Sequence, residues 1–379
     1  MKLVRAIRIY LLVLCGVGSG IVDAAQTVTH PYLGVTMYHE TETSPRPLNI
    51  NVATIDLSAP GIRFVVTPEG PAPQPVFDGA AQETIVQTTR QFVDTMGVQL
   101  AVNASFFNID DEHVVNGQTW TTDLGLTASN GNAYSTWQPL PNNDNNYDAA
   151  LNISASNQAS IVKMPASVPT GYETKPATVL YNTVTGQSRL LKGGVVTAKS
   201  NCGSLCDLNP RTAVGLTSGN TELILMTIDG RQPGVSEGVT LVELAQYMAS
   251  YGARNALNLD GGGSTTMVAD YYGDRGSGIL VNQPSGSERS VGVNLGLYAL
   301  PNGDYNQDNV VDAADYVTWR KTIGGTQAYN AWQQNFGMPA WTLNQSIGSD
   351  AAVVPEPAVA SLFALALAFV AGARKKRRG

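Results

Sequence analysis

The stretch from Thr221 to Val268, TELILMTIDGRQPGVSEGVTLVELAQYMASYGARNALNLDGGGSTTMV, constrains this chain more than any other. It opens on TELILMTID (221–229), a more continuous apolar run than the other strands, the pattern of a central strand. Thr240 followed by Glu243 forms a capping box, and Leu241, Leu244, Ala245 and Met248 fall on one helical face. Gly252 supplies a stop, and Ala256–Leu259 reads as the next strand. That strand runs into Asp260, three adjacent glycines and three hydroxyls. Consecutive glycines cost conformational entropy and pack nothing. The turn is therefore either merely flexible or a place where backbone must approach a ligand closely. The strands ending at Asp229 and Asp260, joined by one helix, are expected to lie side by side with both carboxylates on one rim.

The body around this unit reads as short strands. LNINVATIDL (48–57) and GVQLAVNASFF (97–107) alternate apolar and polar residues in large part, as half-buried strands do. A second helix is expected over 80–96, and the Asn- and Ser-rich residues 130–160 read as surface loop. Many strands and few helices define an α+β class with a mixed, largely antiparallel sheet, followed by a small helical calcium-loop segment.

Both ends read as addresses. Lys2, Arg5 and Arg8 precede the apolar run Ile9 to Val17, and small residues follow at Val22-Asp23-Ala24, so residues 1–24 are expected to be a signal peptide. The C-terminal end carries Pro355-Glu356-Pro357, an apolar run over 358–373 and the basic cluster Arg374 to Arg378. The apolar run is short for a permanent span, and the cluster would stay on the cytoplasmic side. Between these ends the net charge is about −13, which argues against general nucleic-acid binding. The three histidines, His30, His39 and His113, show no paired metal-ligand spacing. Outside the leader only Cys202 and Cys206 remain, and in an exported chain a local disulfide between them is expected.

Four stretches bring chemistry to strand ends and tight turns. VNASFFN offers Asn103 and Ser105, NPRTAVGLT offers Arg211 and Thr212, TIDGRQPGVSEG offers Asp229 and Arg231, and NLDGGGSTT offers Asp260, Gly261, Gly262, Gly263, Ser264 and Thr265. Arginine forks suit phosphate oxygens, and successive glycine N–H groups can form an anion nest. The hydroxyls and Asn103 suit sugar hydroxyls or phosphate. Two carboxylates can share acid/base or nucleophilic work at an acetal carbon. Each piece has a plainer structural reading, as turn, cap or ion pair; the combination points to an anionic, hydroxyl-rich ligand.

In this order NASFFN, NPRTAVGLT, IDGRQPGVSEGVTLVELAQYM, ALNLDGGGSTTMV and the closing SERSVGVNLGLYAL resemble the phosphodiester glycosidase family, with Ser290 where that family usually has proline. The resemblance implies a glycosidase domain over 25–300 with a sugar-1-phosphodiester cleft built from these stretches. The expected function is an exported hydrolase that removes a sugar from a phosphodiester-linked glycan or exopolysaccharide, with Asp260 and Asp229 as catalytic carboxylates. The rivals are a non-catalytic polysaccharide-binding surface protein and a phosphodiesterase cutting the P–O bond.

After Pro301 the composition changes. Asp304, Asn306, Asp308, Asp312 and Asp315 stand at positions 1, 3, 5, 9 and 12 of a loop, a spacing that suits calcium, with a helix expected from about Ala313. Residues 301–340 resemble one half of a dockerin-type repeat; the second half lacks an acidic loop. Residues 341–354 read as a linker. The tripartite tail 355–379 resembles a PEP-CTERM sorting signal, which implies transient inner-membrane anchoring, an exosortase-type processing enzyme as partner, and delivery to the cell surface or extracellular matrix.

Overall fold

The computed structural model describes residues 24–337, apart from residues 78, 109–111, 138–146, 148, 164–177, 271–277 and 309. The expected leader (Ala24 apart), the linker and the sorting tail lie outside the described residues. Among those described, no helix is long and apolar enough to cross a membrane.

An eight-stranded sheet runs in the order Ala24–Tyr32, Val35–Glu42, Leu48–Asp56, Glu222–Ile228, Arg211–Leu216, Asn255–Asn258, Ser188–Lys192 and Val195–Val196. Facing it is a five-stranded sheet ordered Ile279–Leu280, Met267–Ala269, Leu100–Asn103, Asn294–Tyr298 and Arg63–Val66. Every pairing between strands in these sheets is antiparallel, and few helices accompany them, so the class is α+β.

The apolar run at 221–229 follows from burial on both faces. Leu223 and Leu225 pack toward the second sheet with Val214, Leu216, Leu257, Leu100, Val102, Met267 and Leu295. Ile224, Met226 and Ile228 pack on the other side with Ala213, Ala256 and the helix residues Leu241, Leu244, Ala245 and Met248. That helix, Leu241–Ser250, begins at the expected capping box: Thr240 Oγ1 accepts from the Glu243 N–H, and Glu243 Oε2 accepts from the Thr240 N–H at 2.8 Å. Gly252 takes φ +96° just past its end.

Three expectations are corrected. The strands ending near Asp229 and Asp260 are not neighbours, because Arg211–Leu216 lies between them, paired with both. An antiparallel strand inserted there brings its own start, Arg211, to the rim where the other two strands end. The helix expected over 80–96 is only Thr89–Met96. Its capping box lies at Thr88 and Gln91, and the β-branched run Thr84-Ile85-Val86 upstream stays extended. Residues 130–160 are not simply loop. They contain Asn132–Ser135, the fully buried Ala149–Ile153 and the start of Ala159–Lys163, in a third, five-stranded antiparallel sheet. Burial on both faces erases the period there, and the polar residues are structural. Asn152 Oδ1 accepts from the Tyr181 N–H at 3.0 Å and from Thr183 Oγ1 at 2.8 Å.

The 301–337 segment forms the helices Ala313–Thr318 and Thr326–Asn335, packed through Tyr316, Trp319, Tyr329 and Trp332. It is tied to the body where Asn302 Nδ2 donates to the His30 carbonyl at 2.9 Å. Cys202 and Cys206 form a disulfide with their Cα atoms 5.3 Å apart.

Candidate active site

Antiparallel order gathers Asp229, Arg211 and Asp260 at one rim of the large sheet. Arg211 pairs with Ile228, and the Leu259 N–H donates to the Thr212 carbonyl at 2.9 Å. From the facing sheet Asn103 closes the rim. Its Nδ2 donates to the Asp260 carbonyl at 2.6 Å, while its Oδ1 accepts from Thr212 Oγ1 at 2.6 Å and from the Thr266 N–H at 3.0 Å. Asn103 and Thr212 are 0% exposed. They weld the two sheets beneath the turn, which is a positioning role. Ser105 is likewise engaged, accepting from the Thr185 N–H at 2.9 Å.

The three glycines have three separate reasons. A Cβ on Gly261 would come within 2.9 Å of the Pro210 carbonyl oxygen. Gly262 has φ +61°, and a Cβ there would meet the Arg231 guanidinium at 3.0 Å. A Cβ on Gly263 would lie 2.7 Å from Arg289 Nη2. The turn is gripped by a strand start and by two guanidinium groups, so it is a close-approach surface and not a flexible link. The expected nest is partly used internally. The Gly262 N–H donates to the Pro210 carbonyl at 2.9 Å, and the Gly261 N–H serves the Asp260 carboxyl.

Both carboxylates are perturbed in the same direction. Burial pushes Asp260 up to about 6, moderated by the Ser264 hydroxyl, the Gly261 N–H and the charge of Arg289. Burial also pushes Asp229 up to about 6, moderated by Asn282, the Gln283 N–H and the charge of His39. Their surroundings differ. Asp229 is 2% exposed, and its oxygens accept from Asn282 Nδ2 at 2.9 Å and from the Gln283 N–H at 3.1 and 3.2 Å. Asn282 Nδ2 also reaches the Thr265 carbonyl at 3.2 Å, and its Oδ1 accepts from the Met267 N–H at 2.6 Å. Asp229 thus anchors the 282–283 loop to the turn, whereas Asp260 remains half-buried.

Arg211 departs from its expected phosphate role. It is 3% exposed; Nε donates to the Val239 carbonyl at 3.1 Å, and Nη2 donates to the Leu205 and Asp207 carbonyls at 2.7 Å each. Burial, and next the charge of Arg231, lower its pKa to about 10. Donors committed to backbone carbonyls are not open to a phosphate. Arg231 is exposed and sits at φ +59°, a backbone conformation unusual for a bulky residue. The Thr265 and Thr266 hydroxyls are buried with no hydrogen-bond partner among the described residues.

Four residues at this rim were not singled out from the sequence as site groups. Arg289 stands just before Ser290–Val291 and faces Gly263. His39 bonds Asn51 through Nδ1 at 2.8 Å and moderates Asp229. Asn282 joins the two halves of the rim. Tyr147 packs against Phe106 with the rings tilted by 54° and their centroids 5.6 Å apart, and the neighbouring Asp260 charge adds to the burial that pushes its phenol up to about 12. Only Arg289 carried a usable signal, as a lone cation in the quoted SERSVGVNLGLYAL stretch; the others stand in none of the quoted stretches.

In the acidic loop, carboxylate oxygens of Asp304, Asp308 and Asp315 all lie within 4.8 Å of one another. Asn306 Nδ2 bonds Asp308 Oδ2 at 2.8 Å. Asp312 departs from the expected ligand set: it is the N-cap of the helix Ala313–Thr318, accepting from the Ala314 N–H at 2.7 Å.

Comparison with known proteins gives several likenesses. A 78-residue stretch is 36% identical to bovine N-acetylglucosamine-1-phosphodiester alpha-N-acetylglucosaminidase, covering 21% of this chain and 13% of that protein. The zebrafish N-acetylglucosamine-1-phosphodiester alpha-N-acetylglucosaminidase catalytic domain, auto-inhibited by its pro-peptide, superposes with a TM-score of 0.48 at 20% identity, over 74% of this chain and 89% of that one. A protein from Burkholderia pseudomallei gives 0.48 at 14% identity over 74% and 97%, and a hypothetical protein from Synechocystis gives 0.47 at 16% over 70% and 62%. The phosphodiester glycosidase family model matches residues 96–298, which include the sheet-welding Asn103, both rim carboxylates and the gripped glycine turn; this covers more than half of the chain, and the protein belongs to that family.

Proposed function

We propose that this protein is an exported hydrolase that cleaves a sugar from a sugar-1-phosphodiester in a glycan or exopolysaccharide. The observation that supports it most is the glycine turn, where the Asp260 carboxyl stands beside backbone closed upon by Arg231 and Arg289. The leaving group in such a cleavage is a phosphate monoester anion. It is weakly basic, so it needs charge neutralisation more than a proton, and two guanidinium groups provide that. The Gly263 N–H is a further polar contact at the turn, with the Thr265 hydroxyl, unpaired among the described residues, buried beneath it. Asp260, ionised above about pH 6, acts at the anomeric carbon as base on water or as nucleophile. Asp229 holds the 282–283 loop against the turn, and Tyr147 with Phe106 forms an aromatic wall beside Asp260 that suits a sugar ring face.

The 304–315 loop is proposed to hold one structural calcium ion through Asp304, Asp308 and Asp315, with Asn306 beside them; hard carboxylate oxygens within 4.8 Å of one another suit that cation. Export and C-terminal processing are proposed from the two end segments alone. Mass spectrometry of the cell-surface protein tests them, since a peptide reaching Gly379 would exclude removal of the tail.

The reaction is tested with the purified chain and a panel of sugar-1-phosphodiesters in oxygen-18 water. Label in the released sugar supports C–O cleavage. Label in the phosphate makes the protein a phosphodiesterase cutting the P–O bond. Glycan binding without turnover makes it a binding module.

A further inference from the structure

An exposed arginine ordinarily sweeps a wide volume, because its long side chain is rich in rotamers. Arg231 does not have that freedom. Its Nε and Nη2 both donate to one oxygen, Asn209 Oδ1, at 3.2 and 2.8 Å. The other end of the same amide is also engaged: Asn209 Nδ2 donates to the Ser204 carbonyl at 3.1 Å and to the Asp207 carbonyl at 3.3 Å. Donors on one side and acceptors on the other leave the amide a single sensible orientation.

Of the carbonyls that hold Asn209, Ser204 lies inside the loop closed by the Cys202–Cys206 disulfide and Asp207 directly follows it. Arg211 grips the same loop through the Leu205 and Asp207 carbonyls. The backbone of Asn209 is fixed as well. It exchanges two hydrogen bonds with Val239, at 3.1 and 3.3 Å, and Gly238 packs so closely that a Cβ there would lie 2.6 Å from the Asn209 carbonyl. One residue on, the Pro210 carbonyl accepts from the Gly262 N–H. The segment 209–211 therefore joins the disulfide loop, Arg231 and the glycine turn.

We infer that Asn209, oriented by the Cys202–Cys206 loop, is the positioning residue for Arg231, which makes the disulfide loop part of the anion-binding apparatus. This rests on the phosphate role proposed for Arg231. The disulfide restrains the Ser204, Leu205 and Asp207 carbonyls; Asn209 transmits that restraint; the guanidinium is held over Gly262 before any ligand arrives. Preorganisation of this kind lowers the cost of binding without entering the bond-breaking step.

The test compares the full chain with Asn209→Ala and with the Cys202→Ser/Cys206→Ser double variant. Three readouts are followed: the nitrogen-15 Nε–H signal of Arg231, affinity for inorganic phosphate, and KM and kcat on a sugar-1-phosphodiester. Asn209→Ala is expected to collapse the Arg231 signal into the averaged, fast-exchanging set. It should weaken phosphate binding and raise KM about tenfold, with kcat within about threefold, as expected for loss of charge-assisted bonds that position and do not react. The double serine variant should change the same readouts in the same direction by a smaller factor, with the sheet still folded by circular dichroism. An unchanged Arg231 signal and unchanged phosphate affinity in folded Asn209→Ala would overturn the inference. If the wild-type chain turns over no diester, the activity reading fails by itself; the Arg231 signal and phosphate affinity still decide the role of Asn209.

Discussion

Asp229 and Asp260 end strands of one sheet, separated by a single intervening strand, and burial raises both to about 6. At one corner of the rim the carboxylate is sealed, with its oxygens taken by Asn282 and Gln283. At the other it is half-open, faces a gripped glycine turn and feels an exposed arginine. A raised pKa does not distinguish reactive from structural acids, because desolvation acts on both alike. What distinguishes them is whether the neighbours leave an oxygen available.

The largest expected effect tests that contrast directly. Asp260→Asn should lower kcat by on the order of 10²-fold or more, read by steady-state kinetics on a sugar-1-phosphodiester. It should not lower the melting temperature at pH 7.5. The folded pKa lies above the ordinary 3.8, so this group's stabilising contribution is full below about pH 3.8 and is lost as pH rises through about 6. The neutral amide avoids that loss. A folded variant with near-normal kcat would reduce Asp260 to a turn former.

Arg289→Gln comes next. KM should rise about tenfold for loss of a charge-assisted contact. The acidic limb of the wild-type kcat profile, expected near pH 6, should move to higher pH, because Arg289 favours the ionised form of Asp260. A limb that stays in place would detach Arg289 from the carboxylate.

Arg211→Lys should act on stability. It breaks a fork holding three backbone carbonyls, one of them buried, a loss of about 1–3 kcal/mol, read as a lower denaturation midpoint. Phosphate affinity should change less than in Arg289→Gln. The reverse pattern would return Arg211 to direct phosphate binding. The smallest kinetic effect is expected for Asp229→Asn, whose remaining oxygen can still accept from Asn282 and Gln283. Its kcat should stay within about tenfold of wild type; a loss equal to that of Asp260→Asn would erase the distinction between the two corners.

Much of this comparison was legible along the chain, for local reasons. The capping box at Thr240 and Glu243, the buried strand at 222–228, the glycine turn and the close Cys202–Cys206 pair are each written within a few residues. Expectations failed where a long-range partner decided. The 130–160 region looked like loop because its amides serve backbone groups tens of residues away, as Asn152 serves Tyr181. Residues 80–88 looked helical because nothing local reveals that Thr84–Ile85 pairs with Trp120 and Thr121.

By itself the sequence determined that this is a strand-rich α+β body with an acid at a glycine turn, because hydrophobic period, helix caps and glycine runs are short-range properties of the backbone. Tertiary structure alone decided which charged groups face that turn. Arg211, two residues after Asn209, is buried under the disulfide loop, while Arg289, far along the chain, closes on Gly263. The reason is sheet order: inserting Arg211–Leu216 between two strands points Arg211 to the helix-covered face with Ala213, one residue out of phase with Thr212, which meets Asn103 across the sandwich.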